Sequence, residues 1–249
     1  MEHILEVCVD SLASARAAIR GGADRLELCS ALALGGLTPY TALLRQIREE
    51  SSIPIRCLIR HRSGDFLYTH EEIDLMTRQI CELRHSGANG FVIGCLTAEG
   101  DLDTAAMKSL VAAADGAALT LHRCIDVSRD PQRTYLDAAE MGIDTVLTSG
   151  AASSCIHGLE SLDQLLRLRD QHGGPEVLIG AGINADNIST IIKRLPSARA
   201  FHASCKELIE SKMIFRRADI PMGIPEFDEW HIQQTNESQV FKLKQLLYA

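Results

Sequence analysis

The sequence predicts a single α/β domain, a (β/α)8 TIM barrel with a C-terminal extension. Strand-like and helix-like stretches alternate along its 249 residues, the pattern of parallel βαβ units. Eight such strands occur in one pass, and about 250 residues is what a barrel of this kind needs. The first two strands also divide their residues alike. Leu5, Val7 and Val9 alternate with Glu6, Cys8 and Asp10, and Leu26 and Leu28 alternate with Glu27 and Cys29. A strand repeats every two residues, so the aliphatic side chains share one face and the Glu and Cys the other. Aliphatics toward a helix layer and polar groups on the reverse face describe a closed barrel with a polar mouth. No Gly-x-Gly-x-x-Gly follows the first strand, which argues against a dinucleotide-binding sheet.

Each element has its own signals. Ser11 is the expected N-cap of a helix over 12–20, which Gly21-Gly22 ends. The second strand covers 25–30. Thr38 and Pro39 are expected to open a helix reaching residue 50. The third strand is 53–60, and the loop 61–70 carries Arg62, Asp65 and Tyr68. A helix over 71–85 closes at Gly87, and a strand follows over 90–96. Asp101 or Asp103 caps a helix to 114. Strand five runs 118–126 with His122, Arg123 and Asp126. Asp130-Pro131 opens a helix that Gly142 ends. Strand six is 145–150, a helix covers 159–170, strand seven is 177–183, a helix covers 185–195, and strand eight is 200–204. Residues 205–249 read as an irregular segment plus a terminal helix over 238–247, the stretch 216–230 with Pro221, Gly223 and Pro225 being irregular.

Composition narrows the function. The chain is 46% hydrophobic with a formal net charge of -8. The acidic balance excludes a general phosphate-backbone binder, so no nucleic-acid partner is expected. No apolar run approaches the roughly 18 residues of a membrane span, and the N-terminus begins in strand with no basic leader. The expected location is therefore the cytoplasm, with no membrane partner. The eight cysteines form no C-x-x-C pair. In a reducing compartment they are free thiols, most of them small buried hydrophobes.

In such a barrel, chemistry sits at the C-terminal ends of the strands. The polar residues expected there are Glu6, Cys8 and Asp10; Glu27 and Cys29; Arg60, Arg62 and Asp65; His122, Arg123 and Asp126; Thr148 and Ser149; and His202. Two buried carboxylates, Glu6 and Glu27, each need a cation or a proton, and Arg60 and His122 are the expected partners. One outcome is a structural ion-pair cluster. The other is acid–base catalysis by Glu6, Glu27, His122 and Asp126 on a small anionic or phosphorylated metabolite. The anion would be held by Arg60, Arg62, Asp65, Arg123, Thr148, Ser149, His202 and the Gly180-Ala181-Gly182 turn before a helix N-terminus. Cys8 and Cys29, facing each other across strands one and two, would give a two-thiolate site for Cu(I).

Seven segments, taken together and in order, resemble the CutC family, named for copper homeostasis. They are Glu6-x-Cys8-x-Asp10, residues 22–29, Gly35-Gly36-Leu37-Thr38-Pro39, Gly64-Asp65-Phe66-x-Tyr68, His122-Arg123-x-x-Asp126, Leu147-Thr148-Ser149-Gly150 and Gly180-Ala181-Gly182-Ile183. The likeness spans roughly residues 1–225. It implies a TIM barrel, a cytoplasmic protein, and copper as Cu(I) held through Cys8 and Cys29. Two segments depart from the family. His61 and Ser63 stand in a loop that elsewhere reads Arg-Pro-Arg-Gly-Gly-Asp-Phe, and Cys124-Ile125 replaces an Ala followed by an aromatic. A homodimer suits such a barrel.

Overall fold

Parallel pairing carries the chain once around a closed eight-stranded barrel in which each strand bonds its sequence neighbours and β8 returns to β1. The computed structural model describes residues 3–217, 220 and 228–248. The strands are β1 Ile4–Val9, β2 Arg25–Leu28, β3 Ile55–Leu58, β4 Gly90–Ile93, β5 Ala118–Leu121, β6 Thr145–Thr148, β7 Glu176–Ile179 and β8 Ala200–Ala203. The helices between them are α1 Leu12–Arg20, α2 Thr41–Glu50, α3 His70–His85, α4 Thr104–Ala114, α5 Pro131–Glu140, α6 Leu159–His172 and α7 Ile188–Arg194.

Local chemistry sets most of the boundaries. Ser11, Asp103 and Asp130 each accept backbone N–H groups from the first turns of α1, α4 and α5. Thr69 and Glu72 form a reciprocal capping box on α3. Thr38 does not cap α2. Its hydroxyl accepts the Arg60 N–H at 3.0 Å and donates to Gln79 at 3.0 Å, and α2 begins at Thr41 after an uncapped Tyr40.

The period-two division holds. Leu5, Val7, Val9, Leu26 and Leu28 are fully buried in the core between strands and helices. Glu6, Cys8, Glu27 and Cys29 occupy the opposite, inner face. The inside is filled in layers. Leu147, Leu178 and Ala200 form one apolar cluster, and Cys29, Leu58 and Val92 another. Arg56 reaches across the barrel to the hydroxyls of Thr120 and Thr145, at 2.5 and 2.9 Å.

The segment after β8 departs from expectation. Lys206–Glu210 (β9) and His231–Thr235 (β10) form an antiparallel ribbon, and Glu237–Leu247 (α8) follows. Asn236 caps α8 through Gln239. Val240, Leu243 and Leu247 are buried in the same core as the other helices, and Asp24 pairs with Lys244. So α8 is the eighth barrel helix rather than an appendage, and the ribbon is an insertion between β8 and α8. The expected irregular residues Pro221, Gly223 and Pro225 lie outside the described residues. No described helix is long and apolar enough to cross a membrane.

Candidate metal and small-ligand site

The strand ends at the C-terminal mouth surround a cavity of about 500 Å3. Cys8, Glu27 and His202 line one side; Arg60, Phe66 and His122 line another; Arg123, Asp126, Ala181, Gly182 and Ile183 belong to the same wall.

Register decides which groups meet. Glu6 pairs with Arg25 on one side and His202 on the other, and Cys8 pairs with Glu27. Strand stagger therefore sets Cys29 one side-chain step beyond Cys8. Beneath the cavity, Glu6 is fully buried and takes the Arg25 Nε–H at 2.5 Å and the His202 Nδ1 at 2.8 Å. Burial alone would raise its carboxyl, but the Arg25 charge and His202 outweigh it and hold Glu6 down to about 2. Glu27 has less help. The other ring nitrogen of His202 is 3.8 Å from its Oε2, and the Cys29 thiol donates to the same oxygen at 3.4 Å. Burial, with Glu6 nearby, raises the Glu27 carboxyl. His202 is itself disfavoured as a cation by burial. The Cys8 sulfur, Glu27 and Glu6 around it prevail and raise it well above the usual imidazole range.

Ligand atoms of Cys8, Glu27 and His202 lie within 4.8 Å of one another. The expected cation partners, Arg60 and His122, are not the ones used; Arg25 and His202 are. Arg25 was legible, because it shares strand parity with Glu27 and Cys29. Of the expected Cys8–Cys29 pair, Cys8 belongs to this three-residue group and Cys29 does not. Cys29 is fully buried, does not line the cavity, and serves Glu27.

Several other expected site residues have structural tasks. Glu6 lies below the cavity rather than in its wall. Asp126 is not on strand five, which ends at Leu121; it sits on a 3-10 turn, Arg123–Val127. Its carboxylate accepts the Thr148 hydroxyl at 2.5 Å, the Ser149 hydroxyl at 2.9 Å, the N–H groups of Ser149 and Ala151, and Arg123 Nε at 2.7 Å. Thr148, Ser149 and Arg123, all expected to hold an anion, thus help to hold this turn, with Arg123 also at the cavity wall. Arg62 and Asp65 pair with each other, Arg62 also with Glu72, and neither lines the cavity.

Gly180 is a packing glycine. A side chain there would meet Leu147 and His202. Gly182, at φ 98°, is at the mouth. The helix expected from residue 185 begins only at Ile188. Asn184 and Asn187 fold the intervening turn onto the Gly182 carbonyl, and their side-chain oxygens accept the N–H groups of Asn184, Asp186 and Asn187.

His122 is 4% exposed and its ring stacks obliquely on Phe66, with centroids 4.7 Å apart. Burial and the Arg60 charge press it down to about 3, which favours the neutral imidazole. Its Nδ1 accepts the Cys124 N–H at 3.1 Å, which puts its hydrogen on Nε2.

Fold and site together define a (β/α)8 barrel with a buried thiol–carboxyl–imidazole cluster in its C-terminal mouth. The chain belongs to the CutC family, whose profile matches residues 3–207. A CutC family protein of Chromobacterium violaceum is 40% identical over 248 residues, covering 99% of both chains. One from Klebsiella pneumoniae is 36% identical over 247 residues, covering 99% of this chain and 98% of its own. Among solved structures, a CutC of Streptococcus agalactiae, described as a candidate copper homeostasis protein, superposes with TM-score 0.76. It is 24% identical and covers 81% of this chain and 98% of its own. The thiamine phosphate pyrophosphorylase of Pyrococcus furiosus superposes at 0.57 with 14% identity, covering 98% and 95%. Both likenesses speak to the barrel alone.

Proposed function

We propose that this protein serves copper homeostasis by holding Cu(I) at the Cys8–Glu27–His202 cluster. The observation that carries the reading is the convergence of those three donors within 4.8 Å at the buried side of an accessible cavity. Thiolate and imidazole suit Cu(I). The carboxylate is a harder donor, and a set of three with an open position also suits Zn(II). Binding requires the thiolate and a neutral imidazole, so the metal displaces the His202 proton, and affinity falls as pH falls. Glu6 then orients His202 through Nδ1, in the manner of a carboxylate behind a metal-bound histidine.

The test is an anaerobic competition titration of reduced protein with Cu(I), and separately Zn(II), against a chelator. Cys8→Ser should abolish tight Cu(I) binding, while Cys29→Ser retains it within about tenfold, the range of an outer-shell change. Equal loss in both variants restores the paired-cysteine site; no loss in either removes the copper reading.

A second reading rests on the size of the cavity, which far exceeds an ion. It makes the barrel an enzyme in which Glu27 and His202 exchange protons with a small anionic substrate. Turnover by metal-free protein, lost in Glu27→Gln, would favour it.

A further inference from the structure

On the opposite side of the cavity from the thiol cluster, two buried donors are unused. Among the described residues, Arg60 Nε and His122 Nε2 have no hydrogen-bond partner, and both residues line the cavity. Buried polar atoms without partners are rare, and each asks for a cause. We propose that this side of the cavity binds the carboxylate of a small organic acid, received by Arg60 and His122 beneath Phe66.

Three features favour that ligand class. First, Arg60 is a buried cation, 8% exposed, with no carboxylate partner among the described residues. Its NH1 and NH2 groups are spent on the carbonyls of Leu34, Gly36 and Gly64, at 2.8 to 3.2 Å. These neutral acceptors fix the guanidinium but leave its charge uncompensated, which an anion would relieve. Second, the uncharged His122 offers one N–H and no further charge. One cation and one neutral donor match a singly charged carboxylate better than a phosphate dianion. Third, Leu58, Val127 and Ile183 supply apolar wall for a short carbon body.

The Phe66 ring lies against both donors, 5.3 Å from the Arg60 guanidinium carbon and 4.7 Å from the imidazole centroid. It is half-buried on a loop whose neighbours Asp65 and Leu67 are exposed. Admitting the carboxylate turns Phe66 aside.

The test uses full-length, metal-free protein with 15N-labelled histidine, titrated with formate, acetate, pyruvate and inorganic phosphate. Because metal is absent, its outcome is independent of the copper reading. The expected result is a saturable shift of the His122 Nε2 resonance with the carboxylates and little with phosphate. Pyruvate affinity, read by calorimetry, should fall about tenfold or more in His122→Phe, as for one lost hydrogen bond to a charged group. No shift with any carboxylate overturns the proposal, even if the variant fails to fold. A response to phosphate alone, or undiminished pyruvate binding in a folded His122→Phe, does so too.

Discussion

Glu6 shows how one residue ties stability to the site. It is fully buried as a carboxylate because Arg25 and His202 stand at two of its oxygens' hydrogen-bonding positions. Removing one member of a buried pair leaves the other charge uncompensated. Arg25→Met should therefore cost about 3–5 kcal/mol, read as a lower urea midpoint. Adding Glu6→Gln should recover part of that loss, because the stranded charge is then gone. At the thiol–carboxyl–imidazole cluster the contrast runs between two inward-facing thiols. Cys8 reaches the cavity and Cys29 is occupied by Glu27. The alternation in Ile4–Val9 and Arg25–Leu28 made both inward directions readable. Which thiol meets which carboxylate depends on barrel stagger, and pairing register is a tertiary property that strand alternation does not encode. His202 escaped its role for the same reason: it joins Glu6 only through closure of β8 onto β1, 196 residues away in sequence.

At the scale of elements, α8 tests the idea that the barrel is completed by its last helix. Gly21 ends α1 where α8 crosses it. A Cβ there would sit 2.6 Å from Val240 Cβ and 2.8 Å from the Glu237 carbonyl oxygen. Its backbone is right-handed helical, so the constraint is space rather than φ. Gly21→Ala should displace α8 and destabilise by about 1–3 kcal/mol, measured by urea unfolding. A variant as stable as the parent would mean that α8 is loosely held. The helix over 238–247 was legible in the sequence, and the structure starts it one residue earlier, at Glu237. The ribbon before it was not, because its burial pattern is largely exposed, leaving no apolar stripe to announce it. The base of that ribbon, through Lys206, Gln233, Gln234 and Thr235, also walls a small cavity of about 100 Å3 beside Cys8. The insertion therefore bears on the Cys8 side of the mouth.

For the whole molecule, buried titratable groups set the acid limit. His122 has an ordinary value of 6.5 and a folded value of about 3. The unfolded chain takes up this proton first, so stability present above pH 6.5 is lost as pH falls toward 3. Glu6, held at about 2 against 4.5, adds a loss that begins below pH 4.5. At 1.36 kcal/mol per unit, these are about 5 and about 3 kcal/mol. His202 acts in the opposite sense. Its raised value contributes stability that is present below pH 6.5 and lost as pH rises through its folded value. Glu27, raised by burial, opposes these losses between its folded value and pH 4.5, so the test is the difference between the two proteins: from pH 6.5 to 4.5 the urea midpoint should fall less in His122→Phe than in the parent. An unchanged slope in that variant would show His122 to be solvated.

X-ray absorption of the Cu(I)-loaded protein reads the proposed mixed donor set most directly. One sulfur with nitrogen or oxygen neighbours is the predicted first shell, with the sulfur lost in Cys8→Ser. Two sulfurs on the metal would contradict the account and return the site to Cys8 and Cys29.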